Sequence, residues 1–318
     1  MKDYSIKLSI LKALSEGDFV SGETLGQTLG VSRAAVSKHI KGIQEWGVDI
    51  FRVQGKGYQL SQPIDLLDAN KIECQSPCRV YLHPIIDSTN QYLLDRVGEL
   101  KSGDVCVAEY QAKGRGRRGR QWLSPFGSNL YFSMYWCLEA GMGAAMGLSL
   151  VIGVAVVDAL EGLGVKGVKL KWPNDLYYQD KKLAGILVEM SGQAGGAAHL
   201  VMGMGMNLNM RNTDIDQPWV ALAQIPEVQA IDRNLLTSAF IDAWYKTLME
   251  YEQTGMHNFV ERWNRMDNFL GRPIKLIMGS NEIKGICRGI NEQGAVLIET
   301  EQGLQSYIGG EISLRSNE

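Results

Sequence analysis

Apolar positions recur at helical spacing in three short runs at the start of the chain. Ile6, Ile10, Leu11 and Leu14 form the first stripe, Leu25 and Leu29 the second, and Val36, Ile40 and Ile43 the third. Ser21 precedes the second run with Glu23 and Thr24 close behind, Gly30 ends it, and Ser32 opens the third. Each of these two helices therefore starts on a residue whose hydroxyl can cap it. Two short helices around a glycine turn predict a helix-turn-helix. Residues 48–53 and 58–60 then flank a Gln-Gly-Lys-Gly turn and read as a β-hairpin. Helices followed by a hairpin predict a winged helix over residues 1–62, with Pro63 and a polar stretch marking its end.

Residues 63–270 mix the two periodicities. Segments 105–109, 130–136, 168–172, 184–190 and 199–206 read as strands, and 146–160 and 235–251 as helices. They do not alternate regularly, which favours a mixed α+β sheet over a doubly wound one. Gly185, Gly203 and Gly205 interrupt strand-like text, where a backbone or a ligand comes close. Over residues 271–318 the runs 273–278, 282–288, 295–299 and 304–308 are separated by turn signals, predicting a small all-β module of about five strands.

Composition narrows the class. With 318 residues, 45% hydrophobic and 21% charged, the chain is long enough for two or three globular domains. The longest charge-free apolar stretch, 141–157, is studded with glycines and short of the roughly 18–20 apolar residues a membrane span needs. The first ten residues lack a signal peptide's apolar core, so a cytoplasmic location without a membrane partner is expected. Five scattered cysteines do not make a disulfide framework. Cys74, Cys78 and His83 match no common zinc spacing, and ordinary free thiols are the better reading. A net charge of −3 confines any nucleic-acid binding to a local patch.

The chemistry is concentrated at 113–120, KGRGRRGR: one lysine, four arginines, three glycines and no acid, directly after a strand. Glycines let consecutive N–H groups turn inward as an anion nest. Arginines add planar charged forks for carboxylate or phosphate. Such a segment is expected to be disordered when empty, since like charges repel and glycine has the most entropy to lose. No Walker A motif and no dinucleotide fingerprint is present. Composition alone leaves an anion-binding loop and a solvated or nucleic-acid-binding basic loop equally open.

Read in chain order, Asp87-Ser88-Thr89-Asn90, Gln111, GRGRRGR from Gly114, KWPND from Lys171, KLAGILVE from Lys182, GxGxN from Gly203 to Asn207, and EISLRS near the end resemble the bifunctional biotin-protein ligase and biotin operon repressor family. The resemblance covers nearly the whole chain. It implies an N-terminal winged helix-turn-helix, a central domain similar to class II aminoacyl-tRNA synthetases and an SH3-like C-terminal barrel. It also implies biotin and ATP as substrates with Mg2+, and a biotin carboxyl carrier protein of acetyl-CoA carboxylase as acceptor. Operator DNA of biotin biosynthesis genes and a homodimer promoted by biotinyl-AMP complete its partners. Ser88, Thr89, Asn90 and Gln111 would contact the ureido end of biotin. Arg115, Gly116 and Arg117 would fold over biotin and the adenylate, and Lys182, rather than its neighbour Lys181, would reach the carboxylate or α-phosphate. Lys182 and Arg117 are thus the expected catalytic residues. Arg117, Arg120, Asn174, Asp175, Asn207, Trp219 and Arg315 make up the expected ATP set, with Asp175 holding Mg2+ through ATP. Taken alone, Ser88 to Asn90 would be a helix cap, Lys182 a solvated lysine and Trp172 to Asp175 an ordinary turn.

Between residues 33 and 56 lie Arg33, Lys38, Lys41, Arg52 and Lys56 against Glu45 and Asp49, five cations to two acids in an otherwise acidic chain. Arg33, Ala34, Ser37 and Lys38 face away from the third apolar stripe, where short residues near a helix start suit the major groove. Arg52 and Lys56 would touch phosphate from the wing, and Gly22 and Lys41 complete the expected DNA-contacting set. Three competing readings remain at this stage: a lipoate or octanoate attachment enzyme of the same fold, a transcription factor that senses a small anion without chemistry, and a ligase that has lost operator binding.

Overall fold

The structure is a computed structural model that describes residues 4–15, 17–192, 196–210, 215, 217–228, 230, 232–278, 281–308 and 312–316, with Ala144 and the last segment as backbone only. The N-terminal unit packs α1 (Ser5–Leu14), α2 (Gly22–Leu29) and α3 (Arg33–Gln44) beside the antiparallel hairpin β1 (Ile50–Val53) and β2 (Gly57–Leu60). Both helix starts are capped as the sequence predicts: the Ser21 hydroxyl accepts from Thr24 N at 3.0 Å and that of Ser32 from Ala35 N at 3.2 Å. Gly30 ends α2 at φ +68°, a left-handed conformation that costs a glycine little. The three predicted stripes meet in one core with Trp46, Val48, Tyr58 and Leu60.

The central unit is a seven-stranded mixed sheet. Its strands are β3 (Val80–His83), β4 (Val105–Ala108), β5 (Asn129–Leu138), β6 (Lys169–Lys171), β7 (Asp175–Tyr178), β8 (Lys181–Ser191) and β9 (Ala198–Asn207), in the order β3-β4-β5-β9-β8-β7-β6. Only β3 and β4 run parallel. The helices are α4 (Thr89–Leu94), α5 (Leu148–Gly162), α6 (Arg233–Thr254) and α7 (His257–Met266). Side chains alternate across a strand, and this alternation separates core from site. Leu130, Phe132, Met134 and Trp136 of β5, Leu200, Met202, Met204 and Met206 of β9, and Ala184 and Ile186 of β8 join the main core with α5 and α6. Phe132, for example, meets Trp244 of α6 edge-on at 4.7 Å. The opposite face carries Ser133, Gly203, Gly205, Gly185 and Glu189, with α4 laid over part of it. Strand β3, helix α4, strand β7 and helix α7 escaped the sequence reading. The first three have four to six residues and too few apolar positions to show a period.

The C-terminal unit is a five-stranded antiparallel sheet of β10 (Pro273–Met278), β11 (Asn281–Ile290), β12 (Val296–Thr300), β13 (Gly303–Tyr307) and β14 (Ile312–Ser316), ordered β13-β12-β11-β10-β14. Trp172 donates its indole N–H to Gly294 O at 3.0 Å, joining this unit to the central sheet. At the other end Trp46 stacks on Phe126 with ring centroids 5.7 Å apart, and Phe126 N donates to Trp46 O at 2.9 Å. No helix among the described residues is long and apolar enough to cross a membrane.

Candidate active site

The site is built on the sheet face opposite the main core. Helix α4 begins there with Ser88 as N-cap, its hydroxyl accepting from Gln91 N at 3.4 Å. Ser88, Thr89 and Asn90 are each 4% exposed, although they are polar. Buried polar groups need partners, and these find them. Thr89 donates to Gln111 Oε1 from its N at 2.9 Å and from its Oγ1 at 3.1 Å. The Ser133 hydroxyl lies 2.7 Å from Thr89 Oγ1 and 2.6 Å from Asn90 Oδ1. Asn90 Nδ2 donates to Glu189 Oε2 at 2.8 Å. Gly203 makes room for this cluster, because a Cβ there would overlap the Asn90 amide.

The Gly/Arg run closes over the same face. In the structure the run is folded and engages partners from distant elements. Gly116 N donates to Arg120 O at 2.7 Å, and residues 117–119 make a single 3-10 turn with Arg118 at φ 57°. Arg115 donates to Gln91 Oε1 at 2.5 Å and pairs with Glu189 Oε2 at 2.7 Å. Arg117 donates to Asn174 Oδ1 at 3.0 Å. The run itself has no acid, but the fold supplies Glu189 from β8 and Asp87 beside Lys113, with amides from α4 and the KWPND turn, which offset the repulsion the sequence suggested. Burial lowers the Arg117 guanidinium from its ordinary value, against the pull of Asp175; it remains a cation. Trp122, just past the run, lies flat against Gly205 and Gly185, where a side chain would collide with its ring. Its indole N–H is buried and unpartnered among the described residues.

Lys182 reaches this face through a β-bulge. The ladder pairs Leu176 with Ala184 but Tyr177 with Lys182, leaving Leu183 as an extra residue on β8. A bulge flips the alternation beyond it, so Lys182 shares the site face with Gly185 and Glu189, while Leu183 and Ala184 both stay in the core. Lys182 Nζ pairs with Asp175 Oδ1 at 2.9 Å, the two side chains only 15% and 16% exposed. Asn174 is held by Nδ2 donating to Ile186 O at 2.7 Å, which leaves its Oδ1 facing Arg117.

Other expected residues fall at different depths. Asn207 is buried and donates from Nδ2 to Lys182 O at 3.4 Å and Val220 O at 3.3 Å, bracing the strand that carries Lys182. Trp219 is half-buried on a segment that bridges Lys182, with Lys182 N donating to Pro218 O at 3.0 Å. Arg120 is exposed. Arg315 lies on β14 opposite Lys275, its side chain outside the described residues. In the DNA set Arg33, Ala34, Lys38, Lys41, Arg52 and Lys56 are exposed and Ser37 is half-buried. Gly22 is buried at the first turn of α2, close to Tyr58 of β2 and Arg33 of α3. Sequence reasoning missed Ser133, Glu189, Gln91 and Trp122. Only Glu189, the acid ending KLAGILVE, carried a signal, as a charge on an otherwise apolar strand.

Comparison with known proteins bears directly on this arrangement. Residues 82–207 match the biotin/lipoate A/B protein ligase family, residues 7–59 an HTH domain, and residues 269–315 a biotin protein ligase C terminal domain. The chain is 53% identical over 322 residues to the bifunctional ligase/repressor BirA of Salmonella typhimurium and to that of Escherichia coli, covering 100% of both partners in each case. Among solved structures it is similar to a biotin protein ligase from Aquifex aeolicus in complex with biotin and ATP. That similarity has a TM-score of 0.68 and 32% identity, and covers 75% of this chain and 99% of the other.

Proposed function

The chain belongs to the family of bifunctional biotin-protein ligases and repressors, and from that premise we propose how its residues divide the work. The protein is an ATP-dependent biotin-protein ligase and a DNA-binding repressor. Biotin and ATP give biotinyl-AMP and pyrophosphate; a lysine of an acceptor carrier protein then takes the biotinyl group.

The carrying observation is the gathering of Thr89, Asn90, Gln111 and Ser133 beside Arg115, Arg117 and Lys182 on one sheet face. A neutral ureido ring wants hydroxyl and amide partners in an enclosed pocket, which the first group supplies. A carboxylate is a poor nucleophile and is repelled by a triphosphate. Lys182 and Arg117 would bridge the biotin carboxylate and the α-phosphate, and their hold would strengthen as charge develops in flight. Arg115, Gly116 and Arg117 would form the lid, with Trp122 beneath it, excluding water from the acyl-adenylate. Positioning then supplies much of the remaining rate.

Asp175, with Asn174 beside it, would hold Mg2+ by way of the ATP phosphates; one carboxylate plus substrate oxygens suits that ion. Bound there, the metal would offset triphosphate charge. Arg120, Asn207, Trp219 and Arg315 would complete the nucleotide side. The acceptor we assign is the biotin carboxyl carrier protein of acetyl-CoA carboxylase. The DNA is an operator of biotin biosynthesis genes, contacted by Arg33, Ala34, Ser37, Lys38, Lys41, Arg52 and Lys56. We place the unit boundaries after residues 62 and 270. A homodimer promoted by biotinyl-AMP would put two winged helices on one operator.

The direct experiment is biotin- and ATP-dependent labelling of that carrier by the purified chain, repeated with operator DNA present. Labelling that needs both substrates supports the assignment, and carrier left unlabelled under those conditions would refute it.

A further inference from the structure

The connector between the winged helix and β3 contains a bend at 75–77 that none of these roles uses. The bend rests on α6. Asp242 accepts from Gln75 N at 3.0 Å, from Ser76 N at 2.8 Å and from the Ser76 hydroxyl at 2.6 Å. Holding three donors on one carboxylate folds the chain back, so that Cys74 and Cys78 meet with their sulfurs 3.2 Å apart. Both are free thiols, half-buried at the edge of the central core, whereas Cys106 and Cys287 are fully buried.

We propose that Cys74 and Cys78 form a reversible dithiol–disulfide site, oxidised by a low-molecular-weight disulfide such as glutathione disulfide. The thiolate of Cys74 attacks one sulfur of that disulfide, which expels one glutathione thiolate and leaves a mixed disulfide on Cys74. Cys78 then gives its proton to solvent and attacks the Cys74 sulfur, expelling the second glutathione. The two electrons lost by the protein reduce the glutathione disulfide to two thiols.

The geometry favours closure over two independent thiols. A disulfide bond is about 2.05 Å long, so the sulfurs approach by on the order of 1 Å, within reach of side-chain rotation in a non-helical segment. Asp242 has already closed the backbone loop, so little chain entropy remains to be lost. The order of attack follows from the local field. Burial, the hydrogen bond to Cys74 and the charges of Cys74, Asp104 and Asp242 push the Cys78 thiol up to about 12, so Cys74 is the first nucleophile. Once Cys74 carries glutathione, its own contribution to that rise is gone and Cys78 ionises more readily. The connector is already tied to the central unit by Arg233 donating to Asp65 O at 3.0 Å and Asp68 N donating to Asn234 Oδ1 at 2.8 Å. The disulfide adds a covalent staple to the segment that joins the DNA-binding and catalytic units.

The test equilibrates the full-length chain in glutathione redox buffers, quenches with acid, alkylates and maps peptides by mass. The expected result is a single intramolecular link between Cys74 and Cys78, about 2 Da lighter than the dithiol, with Cys106 and Cys287 still thiols. Asp242→Ala should lower the effective concentration of the pair about tenfold, as expected for losing the hydrogen bonds that hold the bend. That readout is an equilibrium between uncharged thiols and disulfide, so removing the Asp242 charge does not confound it. Cys74 and Cys78 alkylated as separate thiols, or glutathionylated singly, across the whole buffer series would overturn the proposal. So would an unchanged equilibrium in Asp242→Ala.

Discussion

Lys182 and Asp175 meet across the β7–β8 pair, Nζ to Oδ1 at 2.9 Å, because the bulge at Leu183 turns Lys182 onto the site face. Arg115 makes the corresponding pair with Glu189 at 2.7 Å. Two of the cations assigned to ligand anions are thus paired with acids of the chain itself, and a bound carboxylate or phosphate would exchange for those acids.

Replacing Lys182 with Ala removes the cation and leaves Asp175 facing the anions. Adenylate formation should fall by about 100- to 1000-fold. Because both side chains are mostly buried, the stranded Asp175 carboxylate should also lower the thermal midpoint, and circular dichroism at the assay temperature checks that the variant is folded. Near-normal pyrophosphate exchange in this variant would remove Lys182 from the mechanism.

Gly203→Ala inserts a Cβ into the Asn90 amide. Asn90 must then leave Ser133 or Glu189, and the ureido side of the pocket shifts. The expected result is a loss on the order of 10- to 100-fold in kcat/KM for biotin, measured at saturating ATP. An unchanged value would separate Asn90 from biotin recognition.

Glu189→Gln keeps an acceptor for Asn90 but removes the charge that anchors Arg115. Limited proteolysis within residues 113–120 should become faster in the ligand-free chain and return to the parent rate with biotin and ATP present. Equal cleavage in both free proteins would show that Glu189 does not hold the loop.

The DNA-binding face can be tested by salt. If Arg33, Lys38, Lys41, Arg52 and Lys56 all meet phosphate, the slope of log affinity against log salt is at most about −4.5 for one copy and about −9 for two. Operator binding measured with biotin and ATP present should approach the steeper value. A slope no steeper than the single-copy limit would count against a ligand-promoted dimer on DNA.

Asp267, 7% exposed at the junction of central and C-terminal units, has its carboxyl raised by burial from an ordinary 3.8 to about 6. A folded-state value above the unfolded one favours the neutral form. Its stabilising contribution is therefore complete below pH 3.8 and lost as pH rises through about 6. Asp267→Asn should match the parent near pH 4 and exceed it at pH 8 by on the order of 2 kcal/mol. Thermal melts at the two pH values check this; a difference independent of pH would rule it out.

Much of the architecture was legible because it is written in local periodicity. The α1–α3 stripes, both serine caps, five central strands and four of the five C-terminal strands follow from spacing and turn residues near in sequence. The lipoate reading gave way when the full-length relatives proved to be biotin ligase/repressors, and the purely sensory reading went with it. The site was legible only where its motif has an unusual composition. Ser133 lies in an apolar strand of ten residues, and nothing local marks it as the hydroxyl that joins Thr89 and Asn90. The partners of the Gly/Arg run were hidden for the same reason, since Glu189 and Asn174 are 74 and 57 residues from the arginines they engage.

By itself, then, the sequence determined the elements, their order and the residue types available for holding an anion, because helix caps, turns and apolar periods act over a few residues. Tertiary structure alone decided which face each residue joined. The glycines that admit Asn90 and Trp122 and the carboxylate that holds Arg115 depend on segments distant in sequence meeting on one sheet, and the bulge that turns Lys182 toward Asp175 depends on the register of the β7–β8 pair within that sheet. Charge and steric exclusion act over ångströms in space, and the chain had to fold before either could be read.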